Sequence, residues 1–383
     1  MRSVGMRTRV VVGAMMLAGG IAGSADALSF TVTDLGTLGG TFSRGYGIND
    51  NGIVTGVSQI PLNGVQRAFT SDGTPGGMVD LGRLPSGGSH SFGYDINNLG
   101  QVTGYSYVFG GSYHAIRSNG TPGGMVDLGT LGGSYSTGFG INNSGWVTGD
   151  SLIAGNSAYH AFLSNGTPGG MVDLGTLGGS TSHGYAINDG GWVTGYSNNR
   201  SGAHHAFLSN GTPNSMVDLG TLGGTSIGFD INNDRWVTGY SAVGVTGRNH
   251  AFLSNGTPNS MQDLGTLGGL QSFGYGINDN KWLVGSSNTA NGALAAFLYT
   301  DTSTVMLNLN ELIGLNSGWN LESAEAINNR GQITGYGTYN GQTHAFLLTL
   351  DAAVVPVPAP AVLGLLGMGL VSALGRRKKT VQV

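Results

Sequence analysis

Residues 141–186 read INNSGWVTGDSLIAGNSAYHAFLSNGTPGGMVDLGTLGGSTSHGYA, and Ile187-Asn188 then starts the pattern again. Four short β-prone runs fall within this period of about 46 residues. They are the run carrying Ile141-Asn142, Trp146–Gly149, His160–Phe162 and Met171–Gly175. Gly, Asn and Pro punctuate them, as at Asn165-Gly166-Thr167-Pro168 and Gly178-Gly179, and such turn signals between apolar runs favour antiparallel hairpins.

The pattern repeats outward in both directions. Ile-Asn recurs at Ile48, Ile96, Ile141, Ile187, Ile231, Ile277 and Ile327. The third run is His-Ala-Phe at His160, His205, His250 and His344, with variants at Arg67–Phe69, His114–Ile116 and Ala295–Phe297. Four strands in about 46 residues is the size of a propeller blade, and a single blade cannot bury both faces. The sequence therefore predicts an all-β, seven-bladed β-propeller over residues 28–353, with a parallel β-solenoid as the alternative. The chain ends argue for the ring. Thr31–Leu35 is a fourth strand lacking its first three, whereas Ile327-Asn328, Ile333–Gly335 and His344–Leu350 are three strands lacking a fourth. Thr31–Leu35 is expected to pair antiparallel with His344–Leu348, with Val32 and Leu35 packing between blades seven and one. Asn308-Leu309-Asn310 completes blade six.

Composition narrows the function. Gly numbers 72 of 383 residues, recurring in register rather than in a low-complexity tract. Only 8 Arg and Lys281 lie between Leu28 and Pro358, against 19 acidic residues, so this region carries a net charge of about -10 and repels a phosphate backbone. Nucleic acid is excluded as a partner on that ground. Cys is absent, which removes disulfides and thiolate chemistry.

The two ends have their own logic. Arg2, Arg7 and Arg9 precede the apolar run Val10–Ala22, followed by the small-residue site Ala25-Asp26-Ala27, so residues 1–27 read as a signal peptide for signal peptidase. Residues 354–383 hold Pro356, Pro358 and Pro360, the uncharged run Ala361–Gly375, and the cluster Arg376, Arg377, Lys378 and Lys379. This order reads as an extended motif, a short membrane-spanning helix and a cytoplasmic basic anchor.

That tail resembles the PEP-CTERM sorting signals of Gram-negative bacteria, in a VPxPA-type variant without the usual Glu between prolines. The resemblance implies an exosortase-type partner, transient anchoring in the inner membrane, and a final place at the cell surface or in the extracellular matrix. The repeat itself resembles the HAF-repeat family of extracellular proteins over nearly all of residues 30–350. That resemblance implies location and supplies no catalytic residue, ligand or cofactor.

Several residue columns bear on chemistry. Equivalent His on separate blades (His114, His160, His205, His250, His344) lie too far apart to share a metal, so each is expected to bond a neighbouring strand. The Asp of each Asp-Leu-Gly (Asp34, Asp80, Asp127, Asp173, Asp218, Asp263) is expected to accept backbone N–H groups at a strand end. Asn119, Asn165, Asn210 and Asn255 begin sequon-like triplets whose following Pro favours a turn. The three Glu, Glu311, Glu322 and Glu325, cluster near the divergent seventh blade with Trp319, and a carboxylate pair there fits glycosidase chemistry in principle. No catalytic residue, metal ligand or cofactor is assigned. The variable loops between second and third strands supply the candidate binding residues: Tyr105, Tyr107, Phe109, Asn198, Asn199, Arg200 and Arg248. The expectation is a non-enzymatic exported protein that interacts with extracellular polysaccharide or envelope components. The alternatives are a structural spacer and a polysaccharide-acting propeller enzyme.

Overall fold

The computed structural model describes residues 28–61, 64–244, 247–303 and 305–351. The signal peptide over residues 1–27 and the sorting tail over residues 354–383, with Pro356, Pro358, Pro360 and Arg376–Lys379, lie outside the described residues. Among the described residues no helix is long and apolar enough to cross a membrane.

Seven antiparallel four-stranded sheets form the blades of a β-propeller. In blade four the strands are Gly178–Ile187, Val193–Asn199, His204–Ser209 and Val217–Asp218, in sequence order from the axis outward. The innermost strands of the seven blades touch one another in sequence around the axis, and the last, Trp319–Ile327, returns to the first, Ser43–Ile48. In each blade the Ile of Ile-Asn is the last residue of this inner strand, and the Asn opens the turn.

Blade seven takes its outer strand from the other end of the chain. Phe30–Gly36 pairs antiparallel with Gln342–Leu350, with Phe30 opposite Leu350 and Asp34 opposite Phe346. The solenoid alternative is thereby excluded. One side chain departs from expectation. Leu35 is fully buried with Ile48, Val54 and Phe69 of blade one, as predicted, but Val32 packs beside Phe30 in the cluster with Val284, Leu298 and Leu309 of blade six. The two residues are three apart in one strand, and the alternation of side chains along it puts them on opposite faces.

Between blades the repeat builds the same core each time. The third-strand residues Phe69, Ile116, Phe162, Phe207, Phe252, Phe297 and Phe346 are all fully buried, each worth about 1.5–3 kcal/mol relative to exposure. A serine bolts the inner strand to the preceding blade in blades one to six, and in blade seven Asn310 bonds the Leu321 backbone instead. Ser182 Oγ accepts from Ala161 N at 2.8 Å and donates to Gly175 O at 2.6 Å, and Ser43 does the same to Ala345 and Gly36 across the closure. Glycine is required where strands approach closely: a Cβ on Gly149 would stand 1.8 Å from the carbonyl oxygen of Thr137.

Candidate functional site

Every inner strand slips register by one residue against its neighbour. The slips fall between Gly45/Gly47, Gly93/Asp95, Gly138/Gly140, Gly184/Ala186, Gly228/Asp230, Gly274/Gly276 and Ala324/Ala326. A bulge leaves one residue unpaired and re-aims its side chain. Here the extra residues are Tyr46, Tyr94, Phe139, Tyr185, Phe229, Tyr275 and Glu325. Six of the seven are aromatic, and their rings follow one another around the axis. Centroid separations are 5.4 Å for Tyr46–Tyr94, 5.2 Å for Tyr94–Phe139, 5.1 Å for Phe139–Tyr185, 5.3 Å for Tyr185–Phe229 and 5.5 Å for Phe229–Tyr275.

Glu325 of blade seven completes the ring in place of a seventh aromatic. Ser323 Oγ donates to its Oε1 at 2.5 Å. Burial among the rings pushes its carboxyl up to about 7, against the opposing pull of the Ser323 hydrogen bond and the Arg44 charge. The phenols of Tyr46, Tyr275 and Tyr336 are raised chiefly by burial, and the Glu325 charge adds to the rise, which places it among them.

A second belt lies one layer nearer the end where the inner strands begin, which we call the mouth. His183 Nδ1 is 2.6 Å from Asp150 Oδ2 of the preceding blade. The His183 ring stacks on Tyr196 at 4.6 Å and on Tyr159 at 5.6 Å. Phe92 stacks on Tyr105 at 4.6 Å, and Tyr113 lies 4.9 Å from Tyr105 and 4.7 Å from Tyr135. Arg44 occupies the position in blade one that His183 has in blade four, with its guanidinium 4.2 Å from the Tyr336 ring and 5.3 Å from the Phe42 ring. Burial raises the phenols, Tyr196 and Tyr275 to about 12 and Tyr94, Tyr105 and Tyr185 further, so at neutral pH they are donors rather than bases. The mouth thus presents aromatic faces, neutral hydroxyls, an Asp–His pair, one guanidinium and one carboxyl near neutrality.

The far end of the axis is closed differently. Asn49 Nδ2 donates to Asn97 O, Asn97 to Asn142, and so on through Asn188, Asn232, Asn278 and Asn328 back to Asn49, at 2.9–3.2 Å. A second ring joins the backbone N–H of each following residue to the side-chain oxygen of the next: Asp50, Asn98, Asn143, Asp189, Asn233, Asp279 and Asn329. The two rings line a polar cavity of about 150 Å³.

The recurrent His are absorbed by the fold. His114, His160, His205, His250 and His344 bond Asp127, Asp173, Asp218, Asp263 and Asp34 at 2.7–2.9 Å through Nδ1. Each of these Asp also accepts the N–H two residues on, as Gly175 N to Asp173 Oδ1 at 2.7 Å. In blade one Arg67 replaces the His and faces Asp80 at 3.8 Å. In blade six Ala295 and Asn308 occupy the positions that the His and the Asp hold elsewhere, so loss of the His goes with loss of the acid. Asn165 Oδ1 accepts from both N and Oγ1 of Thr167, a turn repeated at Asn119, Asn210 and Asn255. Among the described residues no three His, Cys, Asp or Glu side chains gather.

Of the loop candidates, the fold brings Tyr105 and Tyr107 into the aromatic belt, because both lie in the strand Val102–Tyr107. Phe109 is 90% exposed beyond it. Asn198 and Asn199 organise their own turn, Asn198 Nδ2 donating to Gly202 O and Asn199 Oδ1 accepting from Ser201 and Ala203. Arg200 and Arg248 are exposed at other blades. Glu311 sits exposed on the short helix Leu309–Leu312, and Glu322 Oε1 accepts from Thr338 Oγ1 at 2.5 Å. Trp319 stacks on Tyr339 at 4.9 Å. Sequence reasoning missed Arg44, Asp150, His183 and the aromatic ring. The signal available was the residue two before each Ile: six aromatics and one Glu.

No protein-family model and no curated protein matches this sequence. Solved structures do share the fold. A puromycin hydrolase (the S511A mutant complexed with PGG) is similar with a TM-score of 0.51 at 13% identity, over 81% of this chain and 52% of that one. A puromycin-hydrolyzing peptidase of Mycobacterium tuberculosis is similar with a TM-score of 0.55 at 12% identity, over 83% of this chain and 53% of that one. The chain spans about half the length of these hydrolases, and at such identity the likeness is one of fold. It nevertheless corrects the expectation of a non-enzymatic protein. That expectation took an architecture without a recurrent catalytic set to be non-catalytic, whereas the same architecture occurs in hydrolases, and a site on the axis needs only one copy of each group.

Proposed function

We propose that this is an exported propeller enzyme that acts on extracellular polysaccharide at the mouth of its axis. The observation that carries the reading is Glu325, a carboxyl raised by burial to about 7 that stands where the other six blades place an aromatic side chain. Aromatic faces suit the apolar faces of sugar rings, with the phenols and the Asp150–His183 pair left to bond hydroxyls. An acid titrating near 7 is matched to proton donation at neutral pH. In the hydrolysis proposed, Glu325 gives its proton to the departing glycosidic oxygen as the C–O bond breaks, and water adds to the sugar carbon and restores the proton.

Export through residues 1–27 and sorting through Pro356, Pro358, Pro360 and Arg376–Lys379 belong to the same proposal, since they bring the site to its substrate. Removing residues 354–383 is expected to leave the exported protein released, and mass spectrometry of surface material should show loss of the tail beyond Pro360. An intact tail would reduce it to a plain anchor. For the activity, the purified full chain in detergent is incubated with a panel of neutral and acidic polysaccharides, and products are resolved by chromatography. Oligosaccharide release that Glu325→Gln abolishes and Glu311→Gln spares supports the reading. Release unaffected by Glu325→Gln, or no release and no binding across the panel, overturns it.

A further inference from the structure

Arg44 differs from the other basic residues of the propeller in its place at the mouth of the axis. Arg67 faces Asp80, Arg83 donates to Gly88 O, and Arg235 and Lys281 lie over Trp192 and Trp236. Among the described residues no carboxylate lies within ion-pair distance of Arg44, whose side chain bonds the Tyr46 hydroxyl while its Nε is buried without an acceptor. It is also the one Arg or Lys in its layer. The equivalent positions hold Phe92, Thr137, His183, Ile227, Phe273 and Ser323. The faces of Tyr336 and Phe42 hold the guanidinium in place, an arrangement that stabilises the cation without consuming its N–H donors. Glu325 lies near enough to feel the Arg44 charge, yet burial still raises its carboxyl to about 7.

A planar guanidinium whose Nε–H lacks an acceptor, set beside aromatic faces, is suited to a carboxylate, which it engages through two parallel hydrogen bonds. We infer that Arg44 recognises an anionic group and that the glycan at the mouth is a uronate-containing polysaccharide, its carboxylate seated on Arg44 while the sugar rings lie against the aromatic belt. This rests on the polysaccharide reading above and specifies its substrate class.

The test compares a hexamer of galacturonate with its methyl ester, which keeps the shape and removes the charge, and with maltohexaose. Binding to the full chain in detergent is measured by titration calorimetry for the unaltered protein, Arg44→Gln, Arg44→Lys and the exposed control Arg330→Gln. The acid form should bind more tightly than its ester by about tenfold or more. Arg44→Gln should erase that preference while leaving ester affinity within about twofold, Arg44→Lys should retain part of it, and Arg330→Gln all of it. Unchanged thermal unfolding of Arg44→Gln certifies that it folds. Equal affinity for acid and ester, or a preference that survives in Arg44→Gln, overturns the Arg44 inference while the polysaccharide reading stands. Binding of maltohexaose alone does the same. Binding of none of the three overturns the inference, and the polysaccharide panel then decides the broader reading separately.

Discussion

Nδ1 of His344 lies 2.9 Å from Oδ1 of Asp34, a residue 310 positions earlier in the chain. The same bond joins His160 to Asp173 within blade three, so the closure repeats the interior of an ordinary blade with its outer strand drawn from the far terminus. Removing residues 28–36 strips blade seven of that strand and exposes a sheet edge. The expected cost is several kcal/mol out of a total of about 5–15, with aggregation or opening of the ring. Deleting the exposed loop residues 109–111 should be tolerated. Size-exclusion chromatography and thermal unfolding check both, and a truncated protein that stays monomeric with unchanged Tm would contradict the sealing role.

The His–Asp column predicts a measurable coupling. His160→Ala and Asp173→Asn should each cost about 1–2 kcal/mol, because each leaves a half-buried partner short of its bond. Together they should cost less than the sum by about 1 kcal/mol, since Ala295 and Asn308 are the native combination in blade six. Urea unfolding of the four proteins in the cycle gives the number; strict additivity would refute the coupling.

Glycine at position 149 is a matter of space rather than of φ. Gly149→Ala forces a methyl against the Thr137 carbonyl and should destabilise by several kcal/mol or abolish folding. Gly169→Ala, at φ +70° with open space around it, should cost only about 1 kcal/mol. The contrast is read from Tm; equal losses would mean that crowding is not the cause.

The buried acids set the sign of the pH dependence. Glu325 and Asp230 are pushed up to about 7 and Asp95 to about 6, all chiefly by burial. Between the ordinary carboxyl range and these values the folded state holds protons that the unfolded state has released. Stability is therefore highest below about pH 4, as far as these groups are concerned, and falls as pH rises towards 7. Glu325→Gln removes one contribution, on the order of 3 kcal/mol, and should flatten the slope of Tm between pH 4.5 and 7. An unchanged slope would show that Glu325 titrates normally.

Repetition made the architecture legible in advance. One period fixed the strand count, and the mismatched ends fixed the closure, down to the pairing of Thr31–Leu35 with His344–Leu348. The site was less legible for a definite reason. Whether Tyr46 or Glu325 faces a neighbouring blade or the axis depends on a one-residue slip that no spacing in the strand announces. Without the slip, the residue before Gly47 is one more member of an alternating strand. Arg44 and Asp150 were hidden likewise, since their partners Tyr336 and His183 belong to adjacent blades rather than to their own. Tyr105 was singled out as a loop residue and reached the site for another reason, as a residue paired within the strand Val102–Tyr107.

The two asparagine rings at the closed end of the axis also constrain how the gene can change. Seven near-identical units in tandem are prone to recombine, adding or dropping a copy. A gain or loss preserves every blade and even the shared one, but each Asn49-type side chain spans a gap fixed by an angle of one seventh of a turn. With six or eight copies that gap changes at all positions at once, and the bulge residues Tyr46 to Glu325 lose their mutual distances with it. The hub therefore acts as a counter of copy number: single substitutions within a repeat are absorbed locally, whereas a change in the number of repeats is not.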